Sequence, residues 1–186
     1  FEASLGLLQE YATIERDVAW PDFPWGPATA TIVNAEGAAA FLPLIESGGV
    51  DRLRSAADRV GGYAGLMTLA VDYIQALRVR APMQRALNEF FRRYDAVAAP
   101  TRATVAYPAT GKFQDAYPEA RSGPPLIPAG NLCGLPAVCL PNGFGDHNLP
   151  TSLSLLGPAF AEQQLLTLAA AYQSRTDWHQ RIPPVS

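Results

Sequence analysis

Nucleophilic or acid–base chemistry in this chain would have to come from its serines, its single lysine Lys112, the histidines His147 and His179, and the cysteines Cys133 and Cys139. A serine nucleophile needs a base within hydrogen-bond reach and backbone N–H groups for the oxyanion. The serines are Ser4, Ser47, Ser55, Ser122, Ser152, Ser154, Ser174 and Ser186. None sits in a Gly/Ser-rich run such as Gly-Gly-Ser-Ser-Gly, and no Gly-x-Ser-x-Gly elbow exists. A free lysine has a pKa near about 10.4 and must be desolvated or placed beside charge to act as a base. Lys112 follows Gly111 in an aperiodic, Pro-rich segment and reads as a solvated loop residue. His147 and His179 lie in polar, turn-like or terminal contexts and read as surface residues. The catalytic set in these residues is therefore none.

Cys133 and Cys139 are six positions apart. In extended chain that is about 20 Å, against the roughly 7 Å a disulfide tolerates between Cα atoms. A turn at Gly134-Leu135-Pro136 shortens the span, and buried free thiols are the reading that fits. A metal site would need more His, Asp or Cys than the neighbouring His147 supplies, so none is expected. No Gly-x-Gly-x-x-Gly or Walker loop is present, and no cofactor is expected.

The bulk properties exclude further classes. The 14 Lys and Arg fall short of the 17 Asp and Glu, giving a net charge of −3, and the arginines are scattered rather than striped. Nucleic acid is not an expected partner. No run approaches the roughly 18 apolar residues of a membrane span. The opening Phe1-Glu2-Ala3-Ser4 has neither an initiating Met nor a basic signal region, so the expected location is cytoplasmic. With 48% hydrophobic residues in 186, the chain can build a real core.

The elements that would position these groups follow from periodicity. Phe1, Leu5, Leu8 and Ala12 form one stripe of a helix without an N-terminal cap, as if the chain opened inside it. Ile14 and Val18 alternate with Glu15 and Asp17, predicting a short strand over 13–18. An Ala-rich helix is expected over 29–45, stopped at Ser47-Gly48-Gly49, and a solvated helix over 51–60, interrupted by Gly61 and Gly62. The pattern resumes from Leu66 through Tyr94, with Pro82 opening a new helix or kinking a long one. "AVAAP" (96–100) and "AVCLP" (137–141) are small apolar runs that suit strands buried on both faces. Residues 101–125 read as a long irregular loop. A strand is expected over 151–156, with "PNGFGDHNLP" supplying turns before it, and a closing helix over 161–174. The order is α/β, with part of a mixed β-sheet flanked by helices on both faces. One domain is expected over 1–186, mostly helical over 1–95, with strands, pocket loop and closing helix over 96–186.

"YDAVAAPT" (94–101), "AGNLCGLPAVCLPNGF" (129–144), "LPTSLSLLGPAF" (149–160) and "LLTLAAAYQSRTDWHQRIP" (165–183) occur in order and at spacings that resemble the closing third of amidase signature family enzymes. Within these pieces Asn131 would fix a turn through its amide, Gly134 would allow positive φ or close approach, and Pro136 would stiffen the entry to a strand. The resemblance implies the C-terminal portion of an amide-bond hydrolase acting on linear carboxamides, whose Ser, cis-Ser and Lys lie in an N-terminal catalytic half. The expected partners are that half, on the same or a separate polypeptide, and a small-molecule amide. An apolar face left for the missing half would favour self-association into a homo-oligomer.

In the related A subunits of tRNA-dependent amidotransferases, an acidic residue before the Asn-Leu motif and an upstream Arg hold glutamine. Here the acidic position falls around Pro124, which points to another amide, and Arg59 lies near the expected Arg. Arg59, Tyr63 and Thr101 are the candidate pocket residues. The competing reading is a non-catalytic binding or structural module that keeps the fold.

Overall fold

The computed structural model describes residues 1–117 and 126–182. In chain order the helices are α1 (Glu2–Leu8), α2 (Trp25–Ala40), α3 (Leu42–Glu46), α4 (Ala56–Leu66), α5 (Ala70–Phe90), α6 (Phe113–Ala116), α7 (Leu126–Cys133) and α8 (Glu162–Ser174). The strands are β1 (Val97–Pro100), β2 (Ala137–Phe144) and β3 (Pro150–Leu156). Two compact units are formed: the first from Phe1–Pro21, Asn88–Leu126 and Gly134–Ser186, the second from Asp22–Leu87 and Ile127–Cys133.

The first unit is built on an antiparallel sheet in the order β1-β3-β2. Side chains alternate between faces along a strand, and the register turns that alternation into two surfaces. Ala98, Leu155 and Val138 align on one face, with Leu153 and Leu140 beside them. This face packs against Leu5 and Leu8 of α1 and Leu165, Ala169 and Tyr172 of α8. On the other face Ala99 and Leu156 pack with Leu126, and Trp20, Phe91, Val97 and Leu135 close around them. The expected α/β character is observed, with helices gathered around a small antiparallel sheet.

A polar network spans the helix-covered side. Asn142 Nδ2 donates to Ser4 Oγ (3.3 Å), Ser4 Oγ bonds Tyr172 Oη (3.2 Å), and Thr151 Oγ1 donates to Asn142 Oδ1 (2.8 Å). Ser4 is 2% and Tyr172 1% exposed. Leaving such groups unpaired in the interior would cost free energy, so the network fixes α1, α8 and the β2–β3 pair in one arrangement.

In the second unit α4 packs on α2, and the glycines of α4 make the approach possible. A Cβ at Gly65 would lie 2.6 Å from Asn34 O and 2.9 Å from Ala38 Cβ, and one at Gly62 would lie 2.9 Å from Ile45 Cγ1. Ala38, Ile45 and Val50 form the buried cluster beside this contact.

Several expectations are corrected. Residues 13–18 form no strand; the segment is held instead by Glu15, whose carboxylate accepts from Arg93 Nη2 (2.9 Å) and Tyr94 Oη (2.9 Å). The helix expected over 29–45 begins at Trp25 and breaks at Phe41, where Pro43 helps start α3. The helix expected over 51–60 is a 3-10 turn at Gly49–Arg52 followed by α4, whose cap is Ser55 Oγ accepting from Asp58 N (3.3 Å). Gly61 and Gly62 do not interrupt α4, because tertiary packing outweighs their low helix propensity. Of the two readings at Pro82, a single long helix is the one observed: α5 runs through Pro82, which has no N–H for the carbonyl of Arg78.

Asn131 lies in α7 and is exposed, so it fixes no turn; the chain turns one residue after the helix, at Gly134. The strand expected over 137–140 continues to Phe144. Edge strand β2 tolerates Pro141, and a bulge between Pro141 and Gly143 keeps the pairing in step. The reversal comes later, where His147 (φ 56°) and Asn148 (φ 55°) are left-handed and Gly145 N donates to Leu149 O (2.9 Å).

Candidate functional site

Thr101 follows β1 directly. Its N–H donates to Ser152 O (3.0 Å), extending the β1–β3 ladder by one bond. Its Oγ1 lies 2.7 Å from Ser154 Oγ, and Ser154 Oγ lies 3.2 Å from Cys139 Sγ. The register explains one side of the row: Ser154 is the Cα partner of Cys139. Thr101 reaches Ser154 from the other side, two positions beyond Ala99, the β1 partner of Ser154. Ser154 is buried, Thr101 half-buried and Cys139 exposed. The row passes hydrogen bonds across the sheet, and either member of each pair can donate. Among the described residues no Lys, His or carboxylate bonds to it, so it holds no nucleophile–base pair.

Arg59 and Tyr63 stand one turn apart on α4, in the second unit. Arg59 Nη1 donates to Leu53 O (2.8 Å) and Arg54 O (3.2 Å), tying the segment before α4 to the helix. Tyr63 Oη donates to Ile45 O at 3.5 Å, and the ring is half exposed. Thr101 belongs to the first unit. Gly134 has φ +69°, the conformation expected of it, with open space where a Cβ would stand. Pro136 leads into β2 and its carbonyl accepts from Gly157 N (3.1 Å). Pro124, Ser122 and Ser186 lie outside the described residues. Lys112, His147 and His179 are exposed. Among the described residues no group of His, Cys, Asp and Glu could hold a metal ion, and no helix is long and apolar enough to cross a membrane.

Sequence reasoning did not pair Thr101 with Ser154 or Cys139. The alternation in "TSLSLL" puts Ser152 and Ser154 on one face, but which neighbours they meet depends on strand pairing.

Both cysteines are free. Burial pushes the Cys133 thiol up, and the positive charge of Arg80 offsets part of that. A higher pKa leaves less thiolate at a given pH, and Cys133 is only 8% exposed. A thiol-reagent titration at pH 8 is therefore expected to show one fast group, Cys139, and one at least about tenfold slower, Cys133. Equal rates would contradict the packing of α7.

The Amidase family profile matches residues 46–166. The A subunit of the glutamyl-tRNA(Gln) amidotransferase of Nitrosospira multiformis is 40% identical over 111 residues, covering 60% of this chain and 23% of that protein. Its counterpart in Microcystis aeruginosa is 30% identical over 203 aligned positions, covering 97% of this chain and 42% of that protein. A bacterial aryl acylamidase of the amidase signature enzymes superposes with a TM-score of 0.70 at 18% identity, over 96% of this chain and 40% of that one. A structure described as a vestigial protein complex revealing the origins of an s-triazine catabolic enzyme gives 0.77 at 19% identity, over 94% and 39%. These two likenesses concern the fold. The chain spans less than half the length of these relatives. The profile and the relative that aligns with 97% of this chain agree, and the chain belongs to the amidase signature family.

Proposed function

We propose that the chain is the C-terminal portion of an amide-bond hydrolase that converts a linear carboxamide and water to a carboxylate and ammonia or an amine. The observation that carries this is the family match over residues 46–166, in a chain that aligns nearly end to end with 42% of a relative. In this reading the nucleophilic serine, its companion serine and the lysine base come from sequence outside these 186 residues, on the same or a separate polypeptide. The exposed Lys112 and the base-free hydroxyl row are consistent with that. The whole chain counts as part of one amidase domain. Substrate binding is assigned to Arg59, Tyr63 and Thr101.

Curated relatives are named for glutamyl-tRNA(Gln) amidotransfer. The family resemblance puts the acidic position for glutamine around Pro124, and this favours a different amide.

The test is ammonia release from a linear amide such as butyramide, first by the chain alone and then with a polypeptide carrying the Gly/Ser-rich catalytic segment. The chain alone is expected to release none, and the pair to turn over. In the reconstituted pair Thr101→Val is expected to raise KM. Turnover by the chain alone that is lost on Lys112→Ala would assign the chemistry to these residues and overturn the proposal.

A further inference from the structure

Within the second unit, residues of α2 and α5 and the turn before α5 line an open cleft of about 600 Å³. That volume suits a small-molecule site, for which convergent polar groups over an apolar floor are the usual construction. The floor carries Ala28 and Ala76, both buried. The lining also includes Asp72, Asn34 and Gln75, all exposed, and the half-buried Thr31. Thr31 Oγ1 donates its proton to Pro27 O (3.0 Å), which leaves the oxygen as an acceptor.

The lining is one-sided in charge. Among the described residues it contains no Lys, Arg or His, and Asp72 makes no ion pair and no side-chain hydrogen bond. An anion would meet only a carboxylate there. Among the described residues no aromatic ring lines the cleft, so these residues form no cage of the kind that holds quaternary ammonium groups. What the lining offers is one negative charge and several oxygen acceptors beside small buried side chains. Hydrogen bonds with an ionised partner are about twice as strong as neutral ones, so a charged donor is favoured over a neutral amide. Tyr73 Oη donates to Glu36 Oε1 (3.0 Å) in an exposed hydrogen bond between α5 and α2.

We propose that this cleft binds a small molecule bearing a primary ammonium group on a short alkyl chain. The ammonium donates to the Asp72 carboxylate and to the side-chain oxygens of Asn34 and Gln75, and the alkyl chain covers Ala28 and Ala76. The inference does not rest on the amidase reading and needs no turnover to be tested.

The experiment is a titration of the 186-residue chain with propylammonium chloride at constant ionic strength, followed by ¹H–¹⁵N correlation spectra. Saturable shifts are expected at the side-chain NH₂ groups of Asn34 and Gln75 and at the Asp72 amide. Asp72→Asn is expected to weaken apparent binding at least about tenfold, whereas Asp72→Glu, which keeps the charge, stays within about threefold. Propionate is expected to give no saturable shift. Shifts that stay linear to about 50 mM would overturn the proposal. So would an Asp72→Asn titration curve that matches the unmodified protein. Equal binding of tetramethylammonium, which has no N–H to donate, would overturn the assignment of ligand class.

Discussion

Leu153→Ala is expected to lower the unfolding free energy by about 3–4 kcal/mol, the range for a large-to-small change at a site that cannot collapse. Leu153 is 0% exposed and lies in the cluster formed by the sheet, α1 and α8. The transfer free energy of the lost methyl groups supplies part of the cost and the remaining cavity supplies the rest. Domains of this size are stable by only about 5–15 kcal/mol, so the loss would be a large fraction of the total. Urea unfolding of the variant, beside Leu166→Ala as a control, measures it. Leu166 is 55% exposed on α8, and its truncation is expected to stay within about 0.5 kcal/mol. A loss below about 1 kcal/mol at Leu153 would mean that this sheet face is not covered as described.

Two glycine substitutions on one helix are expected to move stability in opposite directions. Replacing glycine by alanine inside a helix ordinarily stabilises by about 0.5–1 kcal/mol, because the unfolded chain loses freedom. Gly61 follows that rule: nothing lies within 4 Å of the position a Cβ would take. Gly65, four residues on, does not. Its added Cβ would sit 2.6 Å from the backbone oxygen of Asn34, which cannot rotate away as a side chain could. Either α4 moves off α2 or the contact is strained, and overpacking of this kind costs about 1–3 kcal/mol. Gly61→Ala is therefore expected to raise the thermal midpoint and Gly65→Ala to lower it. Equal shifts of the same sign would remove the close α2–α4 approach.

The elements that sequence located well are those whose signal is local. Ala96 to Pro100, Thr151 to Leu156 and Ala161 to Ser174 show apolar runs, alternation or helical stripes with clear ends, and the observed strands and helix fall within a residue of them. The misplaced elements are those where a distant neighbour decides. Gly61-Gly62 looks like a helix break when read alone, yet α4 runs through both, and at Gly62, where a Cβ would lie 2.9 Å from Ile45 Cγ1 of α3, the packing favours the missing side chain. The segment 13–18 alternates like a strand but finds side-chain partners in Arg93 and Tyr94 in place of a ladder. "PNGF" looks like a turn, and edge position with a bulge lets it remain a strand.

By itself the sequence determined the family, through four ordered motifs, and it determined the α/β class and the isolation of Lys112 from any serine-rich run. These are properties of residue type and short spacing, which survive without coordinates. Only the tertiary structure decided that Thr101 meets Ser154, 53 positions away, that Cys139 joins the same row, and that Asp72 shares a cleft with Asn34. Such meetings depend on strand register and helix docking. A shift of one residue in either would turn each of these side chains to another face, and no local pattern in the chain fixes that shift.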